Sequence, residues 1–294
     1  MKRMLALAVV LLLGLTFGAA SEDLYFDSEG VRIRYIVKGE GEPLVLIHGF
    51  SANLDLNFGM PGIIDALAAD YRVIALDCRG HGKSGKPHGA ENYGTKMVDD
   101  VIGLMDHLGI DKAYVSGYSM GGFLTMNLLA NHPDRVIAAI PGGAGWPSDD
   151  AVGADMREEL ATSLESGNGI GPLLDALTPA GQPKPTPEQL AQVNTMLMAT
   201  NDPLALAGVI RGMDNITVSA EQLKANAVPT LILIGEIDPL KESVDAAQSV
   251  MSNLEVVVLP GRDHMSAFAD PAYTENMKRF LVQHAPEAAT ATTD

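Results

Sequence analysis

The sequence has few of the residues that mark metal sites, disulfide frameworks or nucleic-acid surfaces. Cys78 is the single cysteine, so the chain cannot form an internal disulfide. Lysine and arginine number 20 against 37 aspartates and glutamates, which gives a net charge of −17, and no basic cluster stands out. The sequence contains no H-E-x-x-H segment and no spaced pair of cysteines. We therefore expect no bound metal or cofactor and no nucleic-acid partner.

One long apolar run is present, at residues 4–15, and it is short for a span of the bilayer. Two basic residues precede the run, and the small residues of 18–20 follow it. This pattern predicts a signal peptide over residues 1–20, cleaved after Ala20. We expect a periplasmic or secreted protein that keeps no membrane span after processing. The alternative is an uncleaved membrane anchor.

The rest of the chain alternates between short apolar runs and amphipathic segments. This alternation predicts an α/β fold, a mostly parallel twisted sheet with helices on both faces. The alternation stops at the glycine- and proline-rich segment 141–147 and returns near residue 229, with only helical patterns between. The predicted organisation is a core at 21–145 and 227–285, an inserted helical cap at 146–226 and a disordered tail at 286–294.

The segment 117–121 reads G-Y-S-M-G, with Ser119 at its centre. An apolar run at 113–115 leads into it, and a helical pattern at 123–130 follows. A strand that turns at once into a helix forces its corner residue into a strained conformation, which only small neighbours permit. The pattern predicts a nucleophilic serine above a helix N-terminus, where free N–H groups favour negative charge.

Two further side chains follow predicted strands and suit the same chemistry. Ser119, Asp238 and His264 occur in the chain order expected for this type of serine site. We expect His264 to act as the base for Ser119, and Asp238 to orient the imidazole. The backbone N–H groups of Phe50 and Met120 are the predicted oxyanion donors.

The glycine-rich loop 80–85 contains G-x-G-x-x-G, the spacing of dinucleotide sites. The following segment, 86–89, is not helical in pattern, which argues against a nucleotide site. We expect a tight structural loop in which Asp77 and Arg79 make internal pairs. Cys78 follows an apolar strand, and we expect a buried, unreactive thiol there.

Together these segments resemble the lipase- and esterase-like α/β-hydrolases that carry a helical cap. The matching pieces are His48-Gly49-Phe50, Asp77-x-Arg79-Gly80-x-Gly82-x-Ser84, Gly117-x-Ser119-Met120-Gly121-Gly122, Gly235-x-x-Asp238 and Gly261-x-x-His264. The resemblance implies the hydrolase fold and a serine triad, but it does not name a substrate. A serine at the nucleophile position argues against the epoxide hydrolase and haloalkane dehalogenase branches.

Several other residues carry weaker expectations. Asp245 is a rival acid to Asp238, although it lies within a predicted helix. Four methionines of the cap are candidates for the wall of an apolar pocket: Met156, Met196, Met198 and Met213. For each of them taken singly, a place in the ordinary core of the cap is the favoured alternative. The remaining histidines are expected at surface or capping positions, or in the oxyanion loop: His48, His81, His88, His107, His132 and His284.

The functional hypothesis from the sequence is hydrolysis of a small, apolar ester or lactone through an acyl-enzyme. One alternative is cofactor-free perhydrolase or haloperoxidase chemistry, which can use the same three residues. Another is a ligand-binding receptor on a hydrolase scaffold. The sequence leaves the natural substrate and the oligomeric state open.

Overall fold

A computed structural model describes residues 22–146 and 153–286. Within them, eight strands form a single sheet in the order β1-β2-β4-β3-β5-β6-β7-β8. The strands are β1 Leu24–Ser28, β2 Val31–Lys38, β3 Pro43–Ile47, β4 Arg72–Leu76, β5 Ala113–Tyr118, β6 Val136–Gly142, β7 Thr230–Gly235 and β8 Leu254–Leu259. Strand β1 is an addition to the sequence prediction. Its sequence, Leu-Tyr-Phe-Asp-Ser, shows neither a long apolar run nor a clear alternation of apolar and polar residues.

In the order of the sheet, every neighbouring pair from β4 to β8 is parallel, whereas the pairs β1–β2 and β2–β4 are antiparallel. The predicted mostly parallel sheet is therefore confirmed. Strand β3 lies between β4 and β5, so the loops that follow β3 and β5 leave the same edge side by side. Ligands of open α/β sheets bind at this edge, outside the carboxyl ends of the strands.

Helices cover both faces of the sheet, as predicted. Helices α2, α3 and α9 bury their apolar residues on one face, while α1 and α10 bury theirs on the other. The helices are α1 Ile63–Leu67, α2 Thr95–His107, α3 Met120–Asn131, α4 Ala154–Glu165, α5 Gly171–Ala176, α6 Pro187–Met198, α7 Pro203–Gly212, α8 Ala220–Ala225, α9 Lys241–Val250 and α10 Pro271–Gln283. Short helical turns connect some of these elements.

Helices α4 to α8 lie between β6 and β7, in the range predicted as a helical insertion. The insertion has an apolar cluster of its own, built on Leu160, Leu164, Leu206 and Ile210. Local capping chemistry starts some of its helices. Asp202 caps α7, and a reciprocal capping box between Ser219 and Gln222 starts α8.

The glycine-rich loop is a structural turn held by buried charge. Arg34 pairs with the fully buried Asp77 at 3.1 Å. Arg79 forms a bidentate pair with Asp100, at 2.7 and 2.6 Å. A Cβ on Gly82 would lie 2.3 Å from the Asp77 carboxylate, so the turn requires glycine there. Internal pairing is confirmed, although each residue has a partner outside the loop.

Cys78 lies beneath the same loop with 2% of its surface exposed. Burial raises the pKa of its thiol well above the ordinary value. The predicted burial of the thiol is confirmed.

The predicted signal peptide falls outside the described residues, and so does most of the predicted tail. No helix of the described ranges combines the length and the apolar character needed to cross a bilayer. The domain boundaries, the export route and the order of the tail stay predictions.

Candidate active site

Ser119 stands at the junction of β5 and α3 in a strained backbone conformation, with φ of +53°. Its small neighbours are required by close packing. A Cβ on Gly117 would lie 2.0 Å from the Gly121 carbonyl oxygen, and one on Gly121 would lie 2.0 Å from the Ile47 oxygen. The corner therefore presses against β3 and keeps the serine hydroxyl at the carboxyl edge of the sheet.

His264 and Asp238 reach Ser119 from the loops after β8 and β7. His264 Nε2 lies 2.9 Å from Ser119 Oγ, and His264 Nδ1 lies 2.8 Å from Asp238 Oδ2. The backbone N–H of Leu240 donates to the other carboxylate oxygen at 2.9 Å. Both Asp238 and His264 are 3% exposed. The structure thus brings together the three side chains predicted from sequence, in one continuous chain of hydrogen bonds.

Asp245, the rival acid, lies in α9 on the surface. Its carboxylate accepts hydrogen bonds from Lys241 Nζ at 2.8 and 2.9 Å, one helical turn away. The side chain is 56% exposed. The geometry favours Asp238 over Asp245 as the partner of His264.

The two predicted oxyanion donors line the same cavity as Ser119. Met120 is the first residue of α3, and Phe50 follows β3 directly. In the described part of the chain, neither backbone N–H donates to a protein acceptor. Two free N–H groups beside a serine hydroxyl suit an oxygen that acquires negative charge.

The turn that carries Phe50 is built by local hydrogen bonds. The Ala52 N–H donates to the Gly49 carbonyl at 3.2 Å, and the Gly49 N–H donates to Asn57 Oδ1 at 2.8 Å. A Cβ on Gly49 would lie 3.4 Å from the Ser119 Cβ, so the turn packs directly on the serine corner. The sequence analysis missed Asn57, because nothing in its local pattern indicates a contact eight residues back.

A cavity of about 80 Å³, partly open to solvent, lies above Ser119. Its wall is mostly apolar and includes Met120, Phe123, Met156, Leu173, Leu177, Ile210, Met213, Ile216 and Leu240. Helices α4, α5 and α7 supply much of this wall, and core elements supply the floor. A charged group, the Arg157 guanidinium, also reaches the wall, where it pairs with Asp214 at 2.6 Å.

Two of the four candidate methionines, Met156 and Met213, line the cavity. Met198 packs within the apolar cluster of the insertion, as ordinary core of the cap. Met196 does not reach this cavity; it is 59% exposed and borders a separate crevice with Arg34 and Asp77. The amphipathic period of a helix shows that it has two faces, but not which cavity either face meets.

The prediction for His81 is wrong, because this residue is fully buried. Its ring packs edge-on against Phe50 at 5.8 Å and against His48 at 5.1 Å. Burial lowers the pKa of both imidazoles, that of His81 well below the ordinary value. Two neutral histidines therefore support the Phe50 turn from behind.

Tyr118 is a further residue that the sequence analysis missed. Its hydroxyl donates to the backbone carbonyl of His264, and its ring lies 5.4 Å from the imidazole. Burial raises the pKa of this phenol well above 10, so the hydroxyl stays protonated and able to donate. Tyr118 thus fixes the loop that carries the imidazole.

Across the ranges that the structure covers, no group of three or more histidine, cysteine or acidic side chains is arranged to hold a metal ion. The site is built from protein groups that can transfer a proton and form a covalent bond.

A family model for the alpha/beta hydrolase fold matches residues 42–165. The chain is 37% identical over 163 residues to the dihydrolipoyllysine-residue acetyltransferase component of the acetoin cleaving system of Cupriavidus necator. This alignment covers 54% of this chain and 41% of that protein. It is 38% identical over 125 residues to epoxide hydrolase A of Mycobacterium tuberculosis, covering 41% of this chain and 38% of the relative. The chain thus spans less than half the length of these curated relatives.

A solved structure described as Est816, an N-acyl homoserine lactone degrading enzyme, aligns over 87% of this chain and 99% of its own. The TM-score is 0.69 and the sequence identity is 26%. The matched family model covers the strands and loops that position Ser119 and Phe50. The sheet order, the serine corner and these matches lead to one conclusion: the chain has the α/β-hydrolase fold.

Proposed function

We propose that this protein is a serine hydrolase that cleaves a small, apolar ester or lactone through a covalent acyl-enzyme. The observation that carries the proposal is the buried hydrogen-bond chain from Ser119 Oγ through His264 to Asp238. A serine hydroxyl is a weak nucleophile unless a base takes its proton. His264 Nε2 is in position to take it, and Asp238 holds Nδ1–H and stabilises the imidazolium.

In the first half of the reaction, Ser119 Oγ forms a bond to the substrate carbonyl carbon while its proton passes to His264. The carbonyl oxygen becomes an oxyanion, which the N–H groups of Phe50 and Met120 stabilise. The bond to the leaving alcohol breaks, and His264 returns the proton to that oxygen. Water then attacks the acyl-enzyme with His264 again as the base, which releases the acid and restores Ser119.

The cavity supports an apolar acyl group as the substrate's main recognition element. Apolar side chains dominate its wall next to the serine, and an apolar chain gains free energy when it leaves water for such a wall. Est816, whose solved structure resembles this chain, is described as degrading N-acyl homoserine lactones, which supports a lactone or ester as the substrate. The elbow residue here is Ser119, so a mechanism that starts from a carboxylate nucleophile at this position is not available.

The test is turnover of a panel of 4-nitrophenyl esters and γ-lactones by purified protein. We expect Ser119→Ala and His264→Ala to lose activity to a similar extent, and the double variant to be little worse, because triad members act as a unit. An organophosphonate should label wild-type protein at Ser119 only. Near-normal turnover by Ser119→Ala would overturn the proposal. Peroxide-dependent oxidation that exceeds ester hydrolysis would favour perhydrolase chemistry instead.

A matched pair of acids sharpens the test. Asp238→Asn is expected to lower kcat by about 10⁴-fold, because His264 is then held in the wrong tautomer. Asp245→Asn makes the same chemical change at a surface position and should leave kcat unchanged. The reverse result would reassign the acid to Asp245.

A further inference from the structure

The turn that presents the Phe50 N–H contains a strained residue. Ser51 has φ of +58°, in the left-handed region that favours glycine. Within the described ranges, three residues other than glycine have positive φ, and two of them, Ser51 and Ser119, belong to this site. A conformation of this kind persists only when surrounding contacts hold it.

The contact that reaches Ser51 from outside the turn comes from the inserted helices. Asn201 Nδ2 donates to the Ser51 carbonyl at 2.8 Å and to the Leu197 carbonyl at 2.9 Å. Asn201 lies between α6 and α7, 150 residues along the chain from Ser51, and is 8% exposed. The second bond fixes the amide against the last turn of α6, so the first bond is held in place from the insertion.

Packing alone does not account for an asparagine at this position. In the described part of the chain, the buried Asn201 Oδ1 has no hydrogen-bond partner. An unsatisfied buried acceptor disfavours the folded state, and an apolar residue of similar volume would avoid that cost. What the asparagine supplies is the hydrogen bond to Ser51.

We propose that Asn201 is a positioning residue which, by holding the Ser51 carbonyl, keeps the neighbouring Phe50 N–H aimed at the oxyanion above Ser119. The inference rests on the proposed serine hydrolase function. It makes the oxyanion site a joint product of the core and the insertion. The Met120 donor belongs to the core, whereas the Phe50 donor depends on a contact from the insertion.

The test compares Asn201→Leu with a matched control, Asn127→Leu. Asn127 also joins the core to the insertion through a buried amide, since its Nδ2 donates to the Ile216 carbonyl at 3.0 Å. Unlike Asn201, its Oδ1 has a partner, Asn131 Nδ2, at 3.1 Å. With 4-nitrophenyl acetate, which is too short to fill the cavity, Asn201→Leu should lower kcat at least tenfold and change KM by less than twofold.

The control should show the opposite pattern. Asn127→Leu should keep kcat within twofold and lower the thermal midpoint more than Asn201→Leu does. Each change breaks two hydrogen bonds, but Asn201→Leu also removes the buried Oδ1 that has no partner in the described part of the chain. Should Asn201→Leu fail to fold, Asn201→Ala serves in its place. Alanine has no side-chain donor for the Ser51 carbonyl and adds no bulk at the buried position.

A rescue experiment separates positioning from a general structural effect. Glycine adopts positive φ without strain, so Ser51→Gly lets the turn keep its shape when the hydrogen bond from Asn201 is lost. The double variant Asn201→Leu/Ser51→Gly should therefore have a kcat at least threefold higher than that of Asn201→Leu. A double variant no faster than Asn201→Leu, or a single variant with wild-type kcat, would overturn the inference.

Ser119→Ala measured in parallel distinguishes the two ways to fail. If wild-type turnover does not depend on Ser119, the proposed function fails, and the role of Asn201 with it. If turnover depends on Ser119 but not on Asn201, the hydrolase proposal stands and only the positioning role is wrong.

Discussion

The sheet region and the inserted helices α4 to α8 each contain an arginine that pairs with acidic side chains, but the two arginines differ in their surroundings. In the sheet region, Arg79 and Asp100 form an ion pair whose side chains are 2% and 1% exposed. In the insertion, Arg211 pairs with Glu158 and Glu165, both of which are more than 40% exposed. The buried pair needs good hydrogen-bond geometry to offset the loss of hydration of both charges. The exposed pairs keep most of their hydration, and water screens their attraction.

The difference extends to the site. The sheet region supplies the proposed triad of Ser119, Asp238 and His264, which requires one geometry, and it surrounds these side chains with buried contacts. The insertion supplies much of the cavity wall, where the proposed reaction requires only an apolar surface of suitable shape. In this proposal the sheet region determines the chemistry and the insertion determines the selectivity, and Asn201 is the exception that links them.

The largest expected effect comes from breaking one ion pair in each region. Arg79→Met leaves the Asp100 carboxylate buried and unpaired, which should lower the free energy of unfolding by about 3–5 kcal/mol. Arg211→Met should lower it by about 1 kcal/mol or less, because its partners stay hydrated. Urea unfolding of both variants measures the contrast. Equal losses would show that the two regions do not differ in this respect.

Acid should weaken the sheet region through its buried histidines. Burial lowers the pKa of His48 and His81 in the folded state below the ordinary value of 6.5. As the pH falls below 6.5, these two imidazoles therefore bind more protons in the unfolded chain than in the folded one. The free energy of unfolding should thus be highest above pH 6.5 and fall as the pH drops towards the lowered folded values. His81→Phe, compared with wild type by urea unfolding between pH 5 and 8, should show a shallower fall. An unchanged slope would contradict the assignment.

Two tyrosines of β5 offer a finer comparison within the sheet region. Tyr114 and Tyr118 both donate a buried hydroxyl to a backbone carbonyl near the C-terminal part of the chain, at His284 and His264 respectively. Each change to phenylalanine should cost about 1 kcal/mol of stability. Tyr118→Phe alone should also lower kcat, by about tenfold, a loss of about 1.4 kcal/mol of transition-state stabilisation. A similar loss of kcat in Tyr114→Phe would argue against a local role for Tyr118.

The smallest effect tests the wall of the cavity. Met213→Ala should shift the preference between acetyl and octanoyl esters by about 1 kcal/mol in relative kcat/KM, since it removes apolar contact with a long chain. Met196→Ala, at an exposed position of the same insertion, should leave the preference unchanged. Turnover of a series of 4-nitrophenyl esters measures both. A shift in the Met196 variant alone would place the acyl chain elsewhere.

Local patterns in the sequence were sufficient for the serine corner and the helix starts. Gly117 and Gly121 bracket Ser119 because a strand that turns at once into a helix admits only small residues there. Asp202, and Ser219 with Gln222, cap their helices through hydrogen bonds within three residues. The positions of Asp238 and His264 were predictable only through the fold. Each residue follows an apolar strand, and parallel strands bring their carboxyl ends to one edge of the sheet.

Only the tertiary structure decided the contacts that bridge distant segments. It buried His81 behind Phe50, turned Met196 outward, and set the Asn201 amide against the Ser51 carbonyl. None of these has a local signature, because the partners lie tens of residues apart or more, and the packing of whole helices brings them together. The sequence by itself determined which backbone turns and caps form, since those hydrogen bonds close within a few residues. Packing determined which side chains meet across the site, since that depends on how every element fits the others.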